Sequence, residues 1–169
     1  MVAMTPLAAD LLVLFRRDLR CFMREIELFP DDAVLWRTLP GIGNSPGNLA
    51  LHVAGNLRTF VGAVLGGSGY VRHREAEFAQ REGSRADLVA LLETTLRETE
   101  AGLALVTESQ LAQPFPLAVA GLQPPTGRFL LHLTTHLAFH LGQTGYLRRA
   151  LTDDLRSAGG MAIPELMEA

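Results

Sequence analysis

His132-Leu133-Thr134-Thr135-His136-Leu137-Ala138-Phe139-His140-Leu141-Gly142-Gln143 decides how this chain is read. It lies within a longer helical pattern in which Phe129, Leu133, His136/Leu137, His140, Thr144, Leu147 and Leu151 recur on one face. At about 100° and 1.5 Å per residue, His136 and His140 share that face one turn apart. Two imidazoles so placed can reach one metal ion, and both fall in the apolar stripe. His132 is a turn earlier and drifts toward the edge. Residues 127–151 contain no Asp or Glu, which excludes the Glu-x-x-His pairs of di-iron bundles from this helix. Leu137 after His136 excludes a His-Glu-x-x-His motif.

Working outward, the same periodicity recurs three more times. Thr5-Pro6 reads as an N-cap followed by proline in the first turn. It opens a helix whose stripe runs from Leu7 to Phe29, with Asp18 as a polar exception, up to Pro30. Residues 30–44 carry turn signals, with room for a turn of helix between Asp32 and Leu39. Ser45-Pro46 repeats the cap-plus-proline signature and opens a helix to about Leu65. Residues 66–83 are polar and glycine-rich at both ends and read as a crossover. Ser84 with Asp87 resembles a capping box and opens a third helix to about Glu108. Four prolines break up residues 109–125, and Thr126 is expected to cap the fourth helix. The expectation is an all-α chain, residues 1–169 forming one domain, with 152–169 a loosely packed C-terminal tail. Four amphipathic helices bury their stripes best as a four-helix bundle.

Composition narrows the chemistry. The 169 residues are 48% hydrophobic and 20% charged, which suits one globular domain. All 15 basic residues are Arg, so no step uses a lysine amine. The net charge of -3, without a basic run, disfavours nucleic acid as a partner. The single cysteine, Cys21, excludes an internal disulfide framework and multi-cysteine metal sites. It reads as a buried small apolar residue rather than a nucleophile. No apolar stretch reaches about 18 residues, and no secretory signal is apparent, so no membrane partner and a cytoplasmic location are expected.

The histidines remain. A single His on an apolar face is ordinarily a hydrogen-bonded core residue. Two at i, i+4, joined by His52 on another helix, make a ligand set the economical reading, because burying three unpartnered imidazoles is costly. Three nitrogen ligands suit Zn²⁺, Ni²⁺, Fe²⁺ or Cu²⁺ and leave a position for water or substrate. Gln143, one turn from His140, is either an outer partner or a packing residue. Asn56, one turn from His52, either bonds near it or spans the bundle. His132 is either structural or an outer-shell base. His73, among Arg72, Arg74, Glu75 and Glu77, reads as a solvated loop residue.

Two segments together resemble a known family: Asn44-Ser45-Pro46-Gly47-Asn48-Leu49-Ala50-Leu51-His52-Val53-Ala54-Gly55-Asn56-Leu57-Arg58, and the His132–Gln143 stretch with its His-x-x-x-His followed by Gly-Gln. They resemble the DinB-like superfamily, small bacterial four-helix bundles related to the damage-inducible DinB proteins and to the YfiT-like proteins classed as metal-dependent hydrolases. The resemblance covers most of residues 5–151. It implies His52, His136 and His140 as ligands of a divalent metal ion, zinc or nickel first. It also implies an up-down-down-up bundle with one long crossover, and a homodimer. The activities it implies are those of thiol S-transferases using bacillithiol or mycothiol, or of hydrolases, acting on a small-molecule substrate. The alternative is a non-catalytic dimeric metal-binding or stress-response bundle.

Overall fold

The computed structural model describes residues 4–167; within them the chain is helical, with no strands. Four long segments dominate. Helix α1 spans Pro6–Glu27, with Thr5 Oγ1 accepting from the Ala8 amide at 3.2 Å and Pro6 in the first turn. Helix α2 spans Pro46–Leu57 and continues without interruption as a π-helix over Arg58–Leu65. Helix α4 spans Arg85–Leu103 and α6 spans Thr126–Thr152. Between them lie two short helices, α3 (Arg74–Ala79) and α5 (Glu108–Ala112), and a 3₁₀ turn at Val34–Trp36. A second 3₁₀ turn follows at Pro164–Met167. Among the described residues no helix is long and apolar enough to cross a membrane.

Helix α1 packs against α4 and α6, and α2 packs against α4 and α6. Phe15, Phe22 and Ile26 of α1, Val53 and Leu57 of α2, Leu92 and Leu103 of α4, and Leu130, Leu133 and Leu137 of α6 are buried together. The rings order α2 against α6. His52 lies beside His136 and His140, while Phe60 lies beside Phe129. Rising numbers on one helix meet falling numbers on the other, so this pair is antiparallel along the face that carries the site.

Several boundaries differ from the sequence reading. Thr126 is the first helical residue, not the cap, because its hydroxyl is spent on the Gln113 carbonyl at 3.1 Å across the proline loop. The third helix stops at Leu103 rather than near Glu108. Thr107 and Gln110 then form their own capping box and start α5. The π segment is not visible in the apolar spacing. It lies where Gly102 lets α4 press onto α2: a Cβ on Gly102 would sit 2.3 Å from the Val61 carbonyl oxygen.

The segment after Thr152, expected to be loose, is pinned to the helices. Arg148 is fully buried, and its guanidinium bonds Glu25 at 2.5 Å, the Asp154 carbonyl at 3.0 Å and the Arg156 carbonyl. Arg24 of α1 reaches the Ala158 carbonyl at 2.7 Å and Glu165 at 2.8 Å. A buried cation needs its donors satisfied, and the backbone of this segment supplies the acceptors. The buried polar exception in α1, Asp18, pairs with Arg17 at 2.7 Å.

Candidate metal centre

Two local devices deliver the three imidazoles. Ser45 caps α2 and exchanges bonds with Asn48, whose side-chain oxygen accepts from the Ser45 amide at 3.2 Å. The Asn48 amide nitrogen donates to the carbonyls of Glu77 and Gln80 at 2.8 and 2.9 Å. This ties the crossover helix α3 onto the start of α2, directly over His52. The α6 helix, regular for 27 residues, sets His136 and His140 one turn apart.

The three rings converge through one type of atom. His52 Nε2 lies 3.2 Å from His136 Nε2, and His140 Nε2 lies 3.1 Å from it. Ligand atoms of all three fall within 4.8 Å of one another. The remaining Nδ1 atoms of two rings are taken. His52 Nδ1 is 3.1 Å from Glu77 Oε2, and His140 Nδ1 is 2.8 Å from Gln143 Oε1. An acceptor oxygen there requires a proton on Nδ1, so both rings present an Nε2 lone pair to His136. One proton on His136 Nε2 can satisfy only one of them.

These residues fit a metal. Two nitrogens bound to tetrahedral Zn²⁺ at 2.0–2.1 Å stand about 3.3 Å apart, close to the spacing found. The outer bonds are the kind that hold a ligand imidazole in its tautomer. Burial, reinforced by His140 and His52, pushes the His136 pKa down to about 4. Burial also lowers that of His140, against the opposing bond to Gln143. Both are therefore neutral near pH 7, as a ligand must be.

Glu77 and Arg72 also belong to the site, although their segment reads in sequence only as a polar crossover. Glu77 is buried. Burial alone would raise its pKa, but the bonds from Arg72 and His52 outweigh that and lower it. Arg72 grips the carboxylate with Nε at 2.6 Å and Nη2 at 2.8 Å. Gly55 makes room for it: a Cβ there would lie 2.0 Å from Glu77 Oε1. The only local hint was a glycine inside α2, one turn beyond His52, where helix propensity argues against one. Phe78 covers the outer side of His52, with ring centroids 4.9 Å apart.

The other candidates separate. Gln143 bonds the His140 ring directly. Asn56 is buried one turn from His52, and its Oδ1 has no hydrogen-bond partner among the described residues, so neither hydrogen bond expected of that oxygen is made. His132 is exposed, outside the converging set, with its ring stacked on Phe129 at 6.0 Å and 6.1 Å from His136. His73 is exposed at the start of α3. Cys21 is buried with Sγ 3.5 Å from the Ala158 carbonyl, and burial pushes its thiol up to about 11. It is no nucleophile at neutral pH.

A family model described as the DinB superfamily matches residues 12–144, which include all three converging histidines, Gln143, and both Arg72 and Glu77. No curated protein matches the chain.

Proposed function

The chain belongs to the DinB superfamily, and on that premise we propose that it is a metal-dependent enzyme activating a small-molecule thiol or water. His52, His136 and His140 would hold the divalent ion, zinc or nickel first. A bound divalent cation would supply Lewis acidity, lowering the pKa of a thiol or water held beside it. The observation that carries the reading is the convergence of three Nε2 atoms, two of them fixed as lone pairs by Glu77 and Gln143.

The chain's own residues define the rest. Glu77, clamped by Arg72, fixes the His52 tautomer; Gln143 does the same for His140. Phe78 shields one side of the site. His132, exposed one turn from His136, would act as an outer-shell group at the site mouth. With no lysine in the chain and Cys21 buried, the nucleophile arrives from solution, which favours thiol transfer with bacillithiol or mycothiol, or hydrolysis, over a covalent enzyme intermediate. The same proposal includes the up-down-down-up topology and a homodimer. The antiparallel α2–α6 pair supports the first. The exposed Leu131 and Phe139 on α6 support the second.

The test is metal analysis of tag-free protein. About one divalent ion per chain is expected in wild type, with loss in His136→Ala, followed by thiol-conjugation assays on the loaded protein. A wild type that neither carries nor takes up a divalent ion refutes the reading; metal without thiol or hydrolytic turnover leaves a non-catalytic metal-binding bundle.

A further inference from the structure

The α2–α6 groove continues past the metal centre. One layer beyond His140, Ile42, Asn44, Leu49, Gln143, Tyr146 and Leu147 line a cleft of about 350 Å³. That volume is within the range of small-molecule sites. None of the side chains lining it is charged. Leu49 and Leu147 are buried, while Ile42 and Tyr146 are exposed beside them. Ile42 is presented by a turn in which Gly41 takes φ +79° and the Ile42 amide bonds the Leu39 carbonyl at 2.9 Å.

Gln143 belongs to both places. Its Oε1 accepts from His140 Nδ1, and its amide nitrogen has no partner among the described residues. It therefore offers a donor at the junction between the histidines and the cleft. A ligand whose head lies at the histidines and whose body extends along α6 would cross Gln143 and end against Leu147. Leu147 is seven residues beyond His140, about 10 Å along the helix axis.

We propose that this cleft is a subsite for the acceptor co-substrate, not for a polar thiol such as bacillithiol or mycothiol, and that it selects an acceptor with an uncharged, apolar body several carbons long attached to the group that reaches the histidines. The inference rests on the metal reading of the trio for its head group, but the cleft itself does not need metal. A charge lying against buried Leu49 and Leu147 is disfavoured, because no counter-charge lines the cleft and an unpaired ion taken from water is costly.

The experiment uses Co²⁺-loaded, tag-free protein, titrated with ethanethiol, butanethiol, hexanethiol and 6-mercaptohexanoate and followed by the Co²⁺ absorption bands. Affinity should rise by up to about fourfold for each methylene that enters the cleft, so that hexanethiol binds at least tenfold tighter than ethanethiol. 6-Mercaptohexanoate should lose most of that gain. Ile42→Asp, in an exposed turn on the cleft wall, should abolish the chain-length gain, with Co²⁺ uptake checking that the histidines still assemble. Hexanethiol no tighter than ethanethiol, 6-mercaptohexanoate equal to hexanethiol, or an indifferent Ile42→Asp each overturns the subsite. The neutral fluorophore N-phenyl-1-naphthylamine separates the two readings in metal-free protein. Binding that Ile42→Asp abolishes, in a protein that takes no Co²⁺, sinks the metal reading and keeps the cleft. Co²⁺ uptake without dye binding or chain-length gain sinks the cleft alone.

Discussion

Replacing Glu77 by Ala should damage the proposed metal centre by reversing a tautomer, not merely by loosening a ring. In the intact protein two groups face His52 Nδ1: the Glu77 carboxylate at 3.1 Å and Arg72 Nη2 at 3.2 Å. Arg72 can only donate, and so demands the Nδ1 lone pair; Glu77 can only accept, and so demands the Nδ1 proton. The carboxylate prevails because it also satisfies Arg72, through bonds of 2.6 and 2.8 Å. Without it, the guanidinium turns to Nδ1, the proton moves to Nε2, and the lone pair aimed at the ion is lost. Removing an outer partner of a ligand histidine typically costs 10–100-fold in metal affinity, or about 1.4–2.7 kcal/mol. Here binding must also break a charge-assisted bond worth about 1.5–3 kcal/mol, so Glu77→Ala should fall at or beyond the hundredfold end.

This makes a prediction with an unusual sign. Arg72→Ala added to Glu77→Ala should recover about tenfold of the lost affinity, because the competing donor is gone. Glu77→Gln, which keeps an acceptor oxygen, should lose less than Glu77→Ala. Competition against a chelator measures Zn²⁺ affinity, and imidazole ¹⁵N spectra of the metal-free protein read the His52 tautomer directly. Thermal unfolding without metal checks that each variant folds. Unchanged affinity in Glu77→Ala, or a double variant no better than the single, would refute the tautomer argument.

Four further outcomes follow from other parts of the molecule. Gly55→Ala should gain up to about 1 kcal/mol in helix propensity yet weaken metal binding, since its Cβ would meet Glu77 Oε1 at 2.0 Å; a chelator titration in which affinity is unaltered contradicts this. Asn56→Leu should raise the metal-free unfolding temperature by removing an unpartnered buried oxygen, worth about 1–3 kcal/mol, with metal affinity unmoved; a lower melting temperature would mean the oxygen is satisfied in solution. Arg148→Ala takes the close partner from buried Glu25, leaving it only Arg149 at 3.9 Å, and releases the carbonyls of Asp154 and Arg156, so stability should drop by about 3 kcal/mol and trypsin should cut at Arg156 faster than in wild type. The Cys21 thiol, held up to about 11 in the folded protein against about 8.5 unfolded, contributes stability below the lower value that disappears as pH rises through the upper; Cys21→Ala should flatten the stability loss between about pH 9 and 11, and wild-type Cys21 should resist iodoacetamide at pH 8.

Which parts of this site can be read from sequence depends on how far each interaction reaches along the chain. His136, His140 and Gln143 lie within eight residues on one regular helix, so periodicity alone puts them on one face. His52 needs a second helix, but its apolar stripe and the Ser45-Pro46 cap fix which way that helix faces. The helix ends were less legible where a side chain left its local partner for a distant one: Thr126 spends its hydroxyl on Gln113 instead of capping α6, and Arg148 turns a glycine-rich tail into a docked one. Glu77 is the extreme case. Its segment is short, charged and hydrophilic, and nothing within it distinguishes Glu77 from Glu75, which is exposed. The difference is made by Asn48, whose side chain binds two carbonyls of the crossover, and by Gly55, which leaves space for a carboxylate. The His52 lone pair therefore depends on a connection docking correctly 25 residues away. A chain with all three histidines in place but α3 undocked would have the ligands without the tautomer, so loosening α3 through Asn48→Ala should weaken the metal centre even though Asn48 touches no ligand ring.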